Sequence, residues 1–222
     1  MSSSDDEDRV SIDGWDDSAG SGSDAIIDRT RAWVVQAVIG LDLCPFAKAA
    51  QVRGQVRYAV TQATDADGLL QALAEELHRL AATDPGAVET TLLIHPRVMN
   101  DFLDYNDFLA AADAAVEALG YSGVLQVASF HPHYQFAGTE PDDVGNATNR
   151  SPYPTLHLLR EASVRRAVEA FGDTDEIYRK NIRTLQTLGH DGWSRVQADI
   201  QADIEAAAPA HTRVVHRKGD PS

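Results

Sequence analysis

Two histidines in the middle of the chain have the spacing of metal ligands. His131 and His133 follow an apolar run that ends at Phe130. In an extended segment, side chains two residues apart point the same way, so this pair could bind one divalent metal ion as a cofactor. A pair alone is a weak signal, because a metal site in a protein usually has at least three protein ligands. Candidates for the third ligand are His157, Asp142 and Asp143.

The same imidazoles could act in acid or base catalysis. The ordinary pKa of histidine lies near neutral pH, so His131, His133 and His157 are candidate catalytic residues. A plainer alternative assigns them no chemistry: His131 hydrogen-bonds to the backbone where a strand ends, and His133 lies at the surface. The sequence leaves both interpretations open.

Cys44 is the only cysteine of the chain, which rules out an internal disulfide and an all-cysteine metal cluster. It precedes Pro45 in a connecting segment. There an imidazole of His131, His133 or His157 could stabilise its thiolate and make it a catalytic nucleophile. Cys44 could instead bind haem iron, as a Cys-Pro dipeptide does in some haem-responsive proteins, or pack as a small apolar side chain.

A short stretch that contains two prolines, residues 149–154, concentrates side chains that could hold a ligand. Arg150 offers a fork of N–H donors that suits carboxylate or phosphate, and Asn149 and Tyr153 add oriented polar contacts. Arg160 could be a second anion-binding residue. These residues predict a small anionic ligand. The alternative is that they satisfy the backbone of their own loop, as buried polar groups must.

Periodic apolar patterns predict the elements that position these residues. Strands alternating with helices imply a layered single-domain α/β fold. Between Phe130 and Thr155 lies a polar segment longer than about 15 residues, which is usually functional when it is ordered. If the sheet is open, His95 and His131 lie on the same rim, at the carboxyl ends of two strands. The predicted strands are 56–62, 89–96, 124–130 and 155–160, and the predicted helices are 24–43, 66–82, 102–119, 164–171, 175–188 and 193–207.

Charge and composition divide the chain into three parts. Residues 1–23 are an acidic Ser/Gly/Asp tract that predicts a disordered tail, 24–207 form the α/β domain, and 208–222 are predicted to be a flexible tail. Asp24 is the predicted N-cap of the first helix. The helix at 102–119 is expected to stop at Gly120.

The net charge of −15 argues against nucleic acid as a partner, because an acidic surface repels a phosphate backbone. No apolar stretch approaches the length of about 18 residues that a membrane span needs. The chain also begins without the basic and apolar regions of a signal peptide. These features predict a soluble cytoplasmic protein. The oligomeric state is not readable from the sequence.

Several strings resemble one known family. The strings are LDLCPFAKAA (41–50), ETTLLIHP (89–96), DYNDFL (104–109), QVASFHPHYQFAG (126–138) and NRSPYPTLHLLREAS (149–163). Together they are similar to a bacterial domain-of-unknown-function family, number fourteen-fifteen. The likeness covers about residues 25 to 190, so it supports the limits of the domain. It implies no activity, and the chemistry must come from the residues themselves.

Three functions follow as hypotheses. The first is a small-molecule enzyme that uses histidine acid or base chemistry and an arginine anion clamp. The second is a metal- or haem-binding protein without turnover. The third is a protein-interaction module, which Trp15 within the acidic tail favours.

Overall fold

The computed structural model describes residues 22–171 and 174–207. The predicted tail at 208–222, Trp15, and all but the last two residues of the predicted tail at 1–23 lie outside the described residues. Inside them, the layered α/β fold predicted from the sequence is confirmed.

A four-stranded mixed sheet forms the centre of the fold, with the strand order β1-β2-β4-β3. β1 and β2 are parallel, and β4 is antiparallel to both of its neighbours. The 155–160 segment is therefore a strand, as its apolar run predicts, although Pro154 before it could also have started a helix. The strands are β1 (Val56–Val60), β2 (Thr90–Ile94), β3 (Leu125–Phe130) and β4 (Thr155–Arg160).

Helices cover both faces of this sheet, close to where the sequence predicts them. Two corrections concern the first helix: Gly22 rather than Asp24 stands at its N-cap, and its last turns are a π-helix. A short helix, α2, was not predicted. The helices are α1 (Ser23–Trp33) with its π-helical continuation (Val34–Ile39), α2 (Ala47–Val52), α3 (Ala66–Ala82), α4 (Phe102–Ala118), a 3-10 helix (Val144–Asn149), α5 (Glu161–Phe171) and α6 (Thr174–Ala207).

Alternation along the strands sends neighbouring side chains to two separate cores. In β4, Leu156 and Leu158 pack with the leucine stripe of α3 and with α4. In β2, Leu92 and Ile94 point to the other face and pack with Trp33 of α1. Because the side-chain period of a strand is two residues, one step along the sequence decides which face a residue reaches.

Capping residues set where α3 and α4 begin, the two helices that pack against Leu156 and Leu158 of β4. The Asp65 carboxylate accepts a hydrogen bond from the Gly68 N–H and starts α3. The Asp101 carboxylate accepts bonds from two N–H groups at the start of α4. Each cap satisfies donors that the first helical turn leaves open. The start of α4 places Tyr105 beneath the rim of the sheet.

α6 is broken near its middle. Gly189 has φ 69° and ψ 177°, values that no helix contains, so the chain turns there. The sequence predicts two helices separated near this position. Gly189 tolerates the positive φ because it lacks a Cβ. Across the described ranges, no helix combines the length and the apolar character that crossing a bilayer would require.

Candidate functional site

His95 and His131 lie on the same rim of the sheet, as the sequence predicts. Both follow the carboxyl end of a strand and both are fully buried. Tyr105 lies between them, with ring centroids 5.7 Å from His95 and 5.0 Å from His131. The Tyr105 hydroxyl donates to the Thr155 carbonyl at 2.9 Å and accepts from the Phe130 N–H at 3.2 Å. The rim is therefore a packed stack of rings.

Both ring nitrogens of His131 bond to the backbone. Nδ1 accepts from the His133 N–H at 3.0 Å, so the proton is on Nε2, which donates to the Met99 carbonyl at 3.1 Å. This geometry matches the alternative in which His131 hydrogen-bonds to the backbone and has no chemical role. A metal ion at His131 would have to displace one of these bonds. Within residues 22–171 and 174–207, no group of three or more His, Cys, Asp or Glu side chains could hold a metal ion.

Replacing His131 tests whether its role is structural. We expect His131→Ala to lower the free energy of unfolding by about 2 kcal/mol, because two backbone groups lose their partner and the stacked rings lose a neighbour. Urea unfolding followed by circular dichroism measures this. His133→Ala, at an exposed position, serves as the control and should change stability by no more than about 0.5 kcal/mol. A stable His131→Ala variant would contradict the structural role.

His133 faces an outer cleft of about 750 Å³ beside the start of α4 and the break in α6. Arg150 also lines it, but its guanidinium donates to the carbonyls of Tyr134 at 3.2 Å and Pro141 at 2.6 Å. Asp101 and Asp142 add two carboxylates. Arg150 therefore ties the loop together, and anion binding in this cleft stays a prediction.

An inner cavity of about 280 Å³ lies beside the face of the sheet that packs against α1, beneath α1, its π-helical continuation and α2. Four of the eight residues predicted to form a site line it: Cys44, Asn149, His157 and Arg160. Its apolar wall includes Trp33, Val34, Val38, Leu43, Phe46, Ala128, Phe130 and Leu159.

The fold therefore places residues that the sequence assigned to one site in two different spaces. His133 and Arg150 line the outer cleft, whereas His157 points to the inner cavity. Tyr153 lines neither the outer cleft nor the inner cavity, and its side chain packs beside the core that contains Trp33. Its carbonyl accepts hydrogen bonds from the hydroxyls of Ser151 and Thr155. The eight residues that the sequence predicts to form a site therefore do not lie together in one site.

The thiol of Cys44 is protonated at neutral pH. Burial raises its pKa, and hydrogen bonds from the N–H groups of Phe46 and Ala47 offset this only in part. A nucleophilic cysteine needs a lowered pKa. The surroundings of Cys44 therefore favour an apolar wall residue over a thiolate nucleophile.

His157 has a defined tautomer. Its Nε2 lies 2.7 Å from the hydroxyl oxygen of Thr90, and that hydroxyl gives its own proton to the Leu158 carbonyl at 2.7 Å. Nε2 must therefore carry the proton and donate, which leaves Nδ1 as an acceptor. Burial lowers the pKa of His157 to about 4, so the ring is neutral at pH 7.

Asn149 and Arg160 are held by backbone carbonyls. The Asn149 amide donates to the Ser129 carbonyl at 3.2 Å. The Arg160 guanidinium donates to three carbonyls, those of Leu80, Thr83 and Val88, at 2.7 to 3.3 Å. Arg160 thus joins β4 to the end of α3, which is a structural arrangement rather than an open anion clamp.

Sequence reasoning missed three residues of the inner cavity. Trp33 belongs to a helix stripe and contacts Phe130 edge-on at 5.2 Å. Thr90 fixes the His157 tautomer from the neighbouring strand. Asn181, from α6, donates to the Leu43 carbonyl at 2.7 Å, and its buried Oδ1 has no hydrogen-bond partner among the residues that the structure describes. These roles depend on contacts between segments that are far apart in the chain, and the spacing of residues along the sequence does not reveal such contacts.

The fold and its cavities define a single-domain α/β protein with a small cavity beside one face of a mixed sheet. The family model described as protein of unknown function (DUF1415) matches residues 25–195, and the chain belongs to that family. The resemblance seen in the sequence motifs is confirmed. No curated protein and no solved structure is similar enough to the chain to count as a match.

Proposed function

We propose that the protein binds a small, mostly apolar molecule in the inner cavity. The observation that carries this proposal is the convergence of Cys44, His157 and an aromatic wall on a space of about 280 Å³. Sites for small molecules are typically concave, mostly apolar and of about 300 Å³ or more, with few polar groups. Trp33 and Phe130 supply flat apolar surfaces that favour a ring or a short chain.

Binding has more support here than catalysis. A histidine whose conjugate acid has a pKa of about 4 is a weak base for taking a proton from a substrate hydroxyl. The thiol of Cys44 is protonated, so a nucleophilic step there starts from the less reactive form. The residues of the inner cavity therefore favour ligand binding over catalysis.

The second candidate function is histidine acid or base catalysis in the outer cleft. The observation in its favour is that His133 and His190 line the same open space as Asp142. Metal binding has less support, because both nitrogens of His131 bond to the backbone. The interaction-module hypothesis depends on Trp15 and the acidic tail, which lie outside the described residues.

Filling the inner cavity should abolish binding. Ala128 lies on β3 and lines the cavity, so Ala128→Phe puts a ring into the space without removing a polar group. With 4-methylphenol and methoxybenzene as probes, we expect the native protein to bind at least one of them. The variant should bind both at least about tenfold more weakly, a difference of about 1.4 kcal/mol. Ligand-observed NMR titration measures both affinities.

Ala114→Phe, on the exposed side of α4, is the matched control and should bind as the native protein does. Circular dichroism verifies that both variants fold. If the native protein binds neither probe, or if Ala128→Phe binds them with native affinity, the cavity is not the binding site and the proposal is wrong.

A further inference from the structure

The polar groups of the inner cavity show which kind of ligand it suits. The Thr90 hydroxyl and the Asn149 amide both donate to backbone carbonyls. The Thr148 hydroxyl does the same, donating to the Gly145 carbonyl at 2.8 Å. The Arg160 guanidinium is held by three carbonyls. Each of these groups therefore already donates to the protein itself.

Acceptors are left over in the same wall. No hydrogen bond within the described part of the chain engages Nδ1 of His157, because the Thr90 hydroxyl directs the proton to Nε2. Within residues 22–171 and 174–207, Oδ1 of Asn181 also has no hydrogen-bond partner, in a side chain that is only 6% exposed. The orientation of the Asn181 amide is fixed, since its nitrogen must face the Leu43 carbonyl.

The charge of the wall argues against an anion. Glu89 lines the cavity as a carboxylate and lies 3.6 Å from the guanidinium of Arg166. Arg160, the cation of the wall, is surrounded by carbonyl oxygens. A carboxylate or phosphate brought here would lose hydration without gaining a cation. The other donor groups of the wall include the Trp33 indole, the Gln126 amide, the Ser163 hydroxyl and the Cys44 thiol, and all of them are neutral.

We propose that the ligand is a neutral hydroxyl compound, phenol-like in size, whose O–H donates to Nδ1 of His157. This inference rests on the proposed binding function and specifies its ligand class. A hydroxyl suits the wall because it donates to an acceptor and can still accept from a neutral N–H group. The aromatic part of the ligand packs against Trp33 and Phe130.

The expected discrimination follows from the cost of an unpaired acceptor. A ligand without a donor covers Nδ1 of His157 and removes its access to water without replacing the bond. Sites that hydrogen-bond a substrate hydroxyl reject analogues that lack it for this reason. A net hydrogen bond of about 1 kcal/mol corresponds to roughly a fivefold difference in affinity, and the uncompensated acceptor increases it to about tenfold.

Two isomers test the inference. 4-Methylphenol and methoxybenzene have the same atoms and nearly the same size, but only the phenol has an O–H donor. By NMR titration of the native protein, we expect 4-methylphenol to bind about tenfold more tightly than methoxybenzene. In His157→Phe, which keeps a ring beside Phe130, the two isomers should bind equally. In the native protein, adding 4-methylphenol should also shift the ¹⁵N resonance of His157 Nδ1, which methoxybenzene should not.

The outcomes separate this inference from the binding proposal. If both isomers bind the native protein equally, and Ala128→Phe weakens both, the cavity binds ligands but the hydroxyl preference is wrong. If the preference for the phenol persists in His157→Phe, or if the Nδ1 resonance does not move, His157 is not the acceptor. If neither isomer binds, both proposals fail. The ¹⁵N measurement needs no variant, so it applies even if His157→Phe does not fold.

Discussion

Acidification from pH 7 to pH 5 should lower the free energy of unfolding by about 4 kcal/mol, roughly 2 kcal/mol for each of two histidines. These histidines are His95 and His157. Burial lowers the pKa of each from an ordinary value of 6.5 to about 4. In addition, His95 lies near His131 at the rim, and a charge on one would oppose a charge on the other.

The direction of this pH dependence follows from which state, folded or unfolded, binds protons at the higher pH. Between pH 6.5 and pH 4, the unfolded chain protonates these histidines while the folded chain keeps them neutral. Stability is therefore complete above about pH 6.5 and is lost as the pH falls toward 4. Carboxylates act at lower pH: burial would raise the pKa of Glu76, but the hydrogen bonds and charge of Arg57 outweigh it and hold that pKa below its usual range.

Urea unfolding at several pH values, followed by circular dichroism, measures this loss. His78 is exposed and hydrogen-bonds to the Tyr121 hydroxyl, so His78→Gln serves as a control that should keep the native pH dependence. His157→Phe should lose about half of the dependence, since only His95 then remains. A native protein equally stable at pH 7 and pH 5 would show that these rings are not held neutral.

Replacing Arg160 by Met should lower the free energy of unfolding by about 3 kcal/mol. The substitution keeps an unbranched apolar stem but removes the guanidinium donors that face the carbonyls of Leu80, Thr83 and Val88. Hydrogen bonds to a charged group contribute about 1.5 to 3 kcal/mol, and a buried carbonyl left without a donor adds its desolvation cost. The end of α3 and the segment before β2 would both lose their connection to β4.

Arg165→Met is the matched control for this change. Arg165 lies on α5 with its side chain 63% exposed, 3.6 Å from Glu161, and an exposed ion pair of this kind contributes little. Chemical unfolding of both variants should show a large loss of stability only for Arg160→Met. If Arg160→Met keeps its stability but loses binding, Arg160 is a ligand-binding residue, as the sequence predicts, and the structural role is wrong.

Local patterns were sufficient for most of the fold. The helix predicted at 66–82 has these bounds in the structure, because Asp65 caps its start and a leucine stripe defines its buried face. The four strands follow from short apolar and β-branched runs. The π-helix and α2 were not predicted, since both depend on how the chain after α1 packs over the sheet. Family membership was also evident from short strings, because they are local in sequence.

The site depended on contacts between distant segments. The sequence shows that His131 and His157 flank one long loop, but the strand order β1-β2-β4-β3 and the alternation along β4 turn His157 toward the inner cavity, while His131 packs with α4. The partner that fixes the tautomer of His157, Thr90, is 67 positions away in the chain. By itself, the sequence determined the elements and the residue types capable of chemistry. Only the tertiary structure decided which of them share a cavity, because hydrogen bonds across a sheet depend on strand order and register, and local spacing contains neither.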